Sequence, residues 1–295
     1  MSNLPNALAL QRSALWERLG LASLIMPALL LIIITMLVPV CWLFYLSVLS
    51  DAGSFSLEHY QRMWEQPSYG RTFVNTFKVS LLTTGICILL GYPLAYFLSE
   101  LPKRAANLCM VAVLLPLWTS LLVRTYAWLV LLQRKGLINN WGIELGLWNE
   151  PLALVHNLTG TLIGMVHVML PFLVLPLYSA MRAIDRNYLR AAANLGAGPL
   201  RSFWLVFFPL ALPGLSAGVL IVFILCLGFY VTPAVLGGGK VIMVSSRIAN
   251  DIELFFNWGA ASALGVVLLL LTALLIFGAM RLTRVGSLLS DRATS

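Results

Sequence analysis

Six stretches of this 295-residue chain carry no charged side chain: Leu19–Ser50, Val79–Leu98, Ala105–Val123, Asn157–Met181, Ser202–Gly239 and Leu254–Met280. A hydrocarbon core about 30 Å thick needs roughly 20 apolar residues in a helix, and every run meets or nearly meets that length. Lipid offers no partner to a backbone N–H or C=O, so each run must satisfy its own polar groups as a helix. The chain therefore reads as an all-α membrane protein with about six transmembrane helices. Composition agrees: 60% of residues are hydrophobic and 10% charged, where soluble proteins average about 25%, and the mean hydropathy is +0.91.

The first run exceeds the 7–15 apolar residues of a signal peptide, and no convincing small-residue cleavage site follows it. It reads as a retained anchor over 19–50, after a polar tail over 1–18. Cys41, Cys87, Cys109 and Cys226 all fall inside spans with no paired spacing, as small apolar core residues do.

The net charge of +8 is distributed by topology. With the N-terminus in the cytoplasm, the inner segments hold 11 Lys and Arg against 4 acids, and the outer segments 7 against 7. Arg124 is left within a span. Lys and Arg on short loops stay cytoplasmic, so the balance gives both termini inside, including a tail over 283–295, and no nucleic-acid footprint. The outer segment Arg134–His156 carries Trp141 and Trp148, which suit a membrane interface. Span 5 is expected to break at Pro233 and Gly237–Gly239.

Prolines recur inside the spans: Pro93, Pro116, Pro171, Pro176, Pro209 and Pro213. Each removes a backbone donor and tends to kink a helix. Such kinks suit a transport core, and they are also commoner in membrane helices generally.

The longest internal polar stretch, Arg182–Arg201, reads as a short cytoplasmic helix. Asp185 or Asn187 can cap its start, Ala191–Ala193 favour helix and leave a shallow surface, Gly196 suits a left-handed stop, and Pro199 prevents easy continuation. A ridge of small residues standing out of the membrane allows close approach by a partner.

Arg190, Ala191, Ala192, Leu195, Gly196, Ala197 and Pro199, followed by Phe208-Pro209 and Leu212-Pro213, resemble the Glu-Ala-Ala loop of binding-protein-dependent ABC importer permeases. The alanines, the glycine, the later proline and the place between spans 4 and 5 match; Arg190 stands where the family has glutamate. The resemblance covers about residues 70–282, with span 1 as an extra N-terminal helix, and implies the type I ABC importer permease fold. It implies a bacterial inner (cytoplasmic) membrane protein working with two copies of an ATPase subunit, a second permease subunit (another chain or itself) and an external solute-binding protein. ATP and magnesium then belong to the ATPase. A phosphate loop needs Gly, four residues, Gly, Lys and Ser or Thr. The Gly239-Lys240 pair here is followed by Val241, and Ala234 stands where the first Gly belongs. No cofactor is expected in this chain, and no Ser/His/Asp set or carboxylate pair suggests an enzyme.

Leu115-Pro116-Leu117-Trp118-Thr119-Ser120, Val123 to Trp128, Gly136 to Asn139, Tyr230 to Pro233 and Leu236 to Gly239 resemble the polyamine (putrescine and spermidine) branch of that family. Relatives carrying other small solutes, amino-acid-like, opine or phosphonate, share these motifs. A polycation path wants aromatic faces and carboxylates. Trp118, Tyr126, Trp128 and Tyr230 supply the first, with Thr119 and Thr232 beside them, but no run contains Asp or Glu. Arg124 has two readings: bonding carbonyls or anchoring toward the outer interface, or facing the path as a gate. The absence of acids fits a permease whose affinity is set by the external protein. An ion-gradient transporter usually needs intramembrane acids or two similar halves. His167 reads as a packed, hydrogen-bonded residue.

Overall fold

The computed structural model describes the backbone of residues 4–50 and 53–293 and the side chains of 23–50 and 53–281. The side chains of both expected tails, 1–18 and 283–295, lie outside the described residues. Thirteen helices follow one another among the described residues. They are α1 (Leu4–Ser47), α2 (Glu58–Glu65), α3 (Pro67–Glu100), α4 (Lys103–Leu114), α5 (Leu121–Leu131), α6 (Leu137–Glu144), α7 (Leu158–Ala183), α8 (Arg186–Asn194), α9 (Pro199–Ser202), α10 (Phe208–Leu227), α11 (Val231–Leu236), α12 (Val244–Glu253) and α13 (Trp258–Ala293). A 3-10 turn (Leu115–Trp118) precedes α5, and a π turn (Phe203–Phe207) joins α9 to α10.

Five helical stretches are long and apolar enough to cross a membrane: Ser23–Ser47, Pro67–Glu100, Leu158–Ala183, Pro199–Leu227 and Trp258–Arg281. The sixth is not one straight helix. The uncharged run over 105–123 is bent by 95° between Lys103–Trp118 and Leu121–Leu131. Pro116 cannot donate to the helical ladder, and the chain leaves the 3-10 turn through extended Thr119 and Ser120. Absence of charge made this segment look continuous.

The run over 202–239 also breaks earlier than its sequence predicts. Helix α10 stops at Leu227, Gly228–Tyr230 form the joint, and Pro233 sits in the first turn of α11, where its missing N–H costs little. Gly238 and Gly239 then take left-handed φ of 56° and 75°.

The core forms where α7 packs between α3 and α10. Buried Val79, Met165, Met169, Leu173, Val222 and Cys226 fill one half, and Ala95, Leu98, Val174, Leu177, Phe207 and Ala211 fill the other. Close approach comes from small residues, as membrane helix pairs require. A Cβ at Gly218 would stand 2.9 Å from the Leu173 carbonyl oxygen.

The two ends of α3 meet different partners. Its last turn reaches the end of α7, and its first turns reach α12, where Thr76 Oγ1 accepts from the Val244 N–H at 2.9 Å and Arg247 lies 4.8 Å over the Tyr69 ring. Helix α1 stands apart, against α13, with none of its most apolar stretch buried.

Candidate functional site

The polar segment between the fourth and fifth spans forms a capped helix and a corner. Asp185, rather than Asn187, caps α8: its Oδ1 accepts from the Asn187 N–H at 2.9 Å. The other end is closed by a Schellman motif. Gly196 has φ +82°, its N–H donates to the Ala193 carbonyl at 2.9 Å, and the Ala197 N–H donates to Ala192 at 3.0 Å. Gly198 is extended, and Pro199 opens α9 at a position that needs no donor.

The segment divides into inner and outer faces. Leu189, Ala193, Ala197, Ser202, Phe203 and Phe207, with Tyr96 of α3, surround a cavity of about 320 Å³ behind α8. Below it lies an aromatic stack: Tyr96 meets Phe203 and Phe207 edge-on at 5.6 and 5.2 Å, and Phe203 stacks on Phe207 at 5.8 Å. Tyr188, Arg190, Ala191, Leu195, Gly196 and Leu200 are exposed, Ala192 and Ala197 are half-buried, and Pro199, though exposed, also lines the cavity. Leu195 is 88% exposed and Leu200 73%, unusual for leucines on a polar segment.

Two arginines that the sequence offered only as topology charges tie this segment to the α3–α4 turn. Arg182 Nη1 donates to the Ser99 carbonyl at 2.8 Å and to Leu101 at 3.0 Å. Arg186 Nη1 meets Glu100 Oε2 at 2.7 Å. That hydrogen bond raises the guanidinium's affinity for its proton above the ordinary arginine level, against the smaller opposing effect of burial. The spacing of Glu100 and Arg186 gave no local signal, because their pairing depends on α3 and α7 ending side by side.

The candidate path residues gather around the two span breaks without forming one lined site. Trp118 is 79% exposed and Thr119 lies beside it, its Oγ1 bonded to the Pro116 carbonyl at 2.9 Å. Tyr126 and Tyr230 are exposed. Trp128 is half-buried and donates from Nε1 to His167 Nδ1 at 3.0 Å, which fixes both rings. Thr232 is fully buried against Thr125, their hydroxyls 3.3 Å apart, and so bonds α5 to α11. Arg124 is half-buried one turn past the bend, and its Nε and Nη1 are enclosed without a hydrogen-bond partner. Among the described residues no three His, Cys, Asp or Glu side chains come together as a metal site.

Comparison with known proteins gives concordant results. Residues 22–285 match the family model described as binding-protein-dependent transport system inner membrane component. The spermidine/putrescine transport system permease protein PotB of Haemophilus influenzae is 34% identical over 252 residues, which is 83% of this chain and 88% of that protein. PotB of Escherichia coli K12 is 31% identical over 230 residues, 78% of this chain and 83% of that protein. In fold, the chain is similar to one from the crystal structure of a bacterial alginate ABC transporter in complex with its alginate-bound periplasmic protein. The TM-score is 0.74 at 15% identity, over 92% of this chain and 96% of that one.

Proposed function

This chain belongs to the binding-protein-dependent transport system inner membrane components, and we propose that it passes a polyamine such as putrescine or spermidine while its segment 182–201 takes up motion from an ATPase. It is a multi-pass inner-membrane permease subunit of an ABC importer, not an enzyme. The observation that carries the coupling assignment is the geometry of this segment: a short helix, α8, closed at both ends and anchored by Arg186 to α3, with Arg182 at the end of α7 bonded to the same turn, and Leu195 and Leu200 exposed just beyond it. Force applied to α8 is delivered to α3 through these bonds and to α10 through the aromatic stack.

The remaining arrangement follows from the same reading. Residues 70–282 form the permease domain and the helix over 19–50 is an added anchor. Tails 1–18 and 283–295, with α8, face the cytoplasm, which the excess of Lys and Arg on that side supports. Two ATPase subunits, holding ATP and magnesium, dock on a pair of permeases, and an external binding protein delivers the solute. The polyamine assignment is supported by the two relatives named as spermidine/putrescine permeases and by aromatic faces at the span breaks. Trp118, Thr119, Tyr126, Trp128, Tyr230 and Thr232 belong to that path or its walls, and Arg124 closes it at the bend.

Vesicle uptake of labelled spermidine, with the ATPase and binding protein present, tests this reading. ATP-dependent uptake that survives collapse of the ion gradient and disappears without the ATPase is expected. Uptake driven by the gradient alone refutes the importer mechanism, and uptake of an amino acid or phosphonate in place of spermidine refutes the substrate.

A further inference from the structure

Basic residues crowd the end of the molecule that carries α8. Lys103, Arg104, Arg182, Arg186, Arg190 and Arg201 meet two acids there, Glu100 and Asp185. Both acids are engaged, Glu100 by Arg186 and Asp185 by the first turn of α8. Arg182 is engaged by two carbonyls. Lys103, Arg104 and Arg182 lie at span ends, where anionic headgroups meet them.

Arg190 and Arg201 differ from these: both are exposed, and neither takes part in any of the three ion pairs among the described residues. Arg190, on α8 itself, lies a full turn beyond the tethered Arg186. Its neighbours one turn away on α8, Arg186, Asn187, Ala193 and Asn194, are exposed, and the segment also exposes three large side chains, Tyr188 at 58%, Leu195 at 88% and Leu200 at 73%. Tyr and Arg are enriched in interface cores, and the two exposed leucines add apolar surface that a partner would cover. Covering that patch strips water from the guanidinium, and a buried charge without a partner is strongly unfavourable. The covering surface must therefore bring an acceptor of opposite charge.

We propose that the ATPase surface docking on α8 presents an Asp or Glu carboxylate to Arg190, paired through the planar guanidinium. This rests on the reading of 182–201 as the coupling segment and adds to it the charge of the partner. The planar fork of an arginine favours a carboxylate bound through two parallel hydrogen bonds.

Co-purification and quantitative binding of the ATPase to the full-length permease in membranes test the pair. Arg190→Glu sets like charges together and is expected to weaken binding by roughly 100-fold, since such a juxtaposition costs several kcal/mol. Changing the ATPase docking-face carboxylates to lysine one at a time is expected to identify one substitution that weakens wild-type binding and restores binding to Arg190→Glu. Leu195→Asp tests docking itself, and Arg190→Gln, which adds no repulsion, covers the case in which Arg190→Glu fails to insert. If Leu195→Asp loses the ATPase while both Arg190 variants bind within about twofold of wild type, the carboxylate is refuted and docking stands. Binding that is weakened but rescued by no lysine also refutes it. If all three variants bind normally, docking falls as well.

Discussion

Arg186 and Glu100 meet at 2.7 Å although 86 residues separate them, which joins the first turn of α8 to the last residue of α3. The pair is 49% and 37% exposed, so it contributes little to global stability. On the proposed coupling reading, the pair makes α8 and the long apolar helix α3 move together.

Removing the tether should separate docking from transport. Arg186→Ala is expected to change thermal stability by no more than about 1 kcal/mol and to leave ATPase binding intact while lowering uptake. Arg182→Ala, which frees two backbone carbonyls, should cost about 1.5 kcal/mol or more and lower uptake further. Uptake measured beside ATPase co-purification decides; unchanged uptake in the double variant removes the tether's role.

Gly196 occupies a left-handed conformation that a β-carbon disfavours. Gly196→Ala should cost about 1–2 kcal/mol locally and loosen the end of α8, whereas Gly196→Asn should cost less because asparagine tolerates that region. Uptake is expected to rank wild type, then Asn, then Ala. Equal loss in both variants would point to the side chain's bulk against a partner instead of to backbone strain.

The outer cluster offers a pH test. Asp251 is 2% exposed and its carboxyl is held above the ordinary carboxylate range by burial, an effect that Arg247, 3.0 Å away, partly offsets. A raised carboxyl contributes its stability below the ordinary pKa, near 3.9, and loses it as pH rises through the raised value. Arg247→Ala strands the carboxylate and should destabilise the protein by about 3–5 kcal/mol at neutral pH, with the deficit shrinking as pH falls. Arg247→Ala with Asp251→Asn should recover much of the loss. Thermal melts in detergent across acidic and neutral pH read both effects.

The contact of α7 with α10 has no room for a side chain at Gly218. Gly218→Leu must push the Leu173 backbone away and should destabilise the fold by about 1–3 kcal/mol or more. Denaturant titration in detergent measures the change, and Gly218→Ala should fall between it and wild type.

The spans were legible because absence of charge over twenty residues admits few structures. The ends of α8 were legible too, since Asp185, Gly196 and Pro199 each carry a local backbone reason. The 95° bend was not: Pro116 was visible, but prolines at 93, 171, 176 and 213 sit within helices that continue. Whether a proline breaks or only kinks depends on what packs around it. The hydroxyl contact of Thr232 with Thr125 was not legible either, because 107 residues separate them. Trp128 and His167 were each visible, but not their bond, because 39 residues separate them.

Helix α1 shows a different kind of constraint. It packs along α13, with Leu43 beside Gly265, yet none of the most apolar stretch of Ser23–Ser47 is buried. Its place in the bilayer is secured by transfer from water to lipid, so the length and greasiness of this segment matter more than the identity of its residues. Exchanging its leucines and isoleucines among themselves should be silent, whereas one aspartate at its midpoint should hinder insertion before the other spans have met.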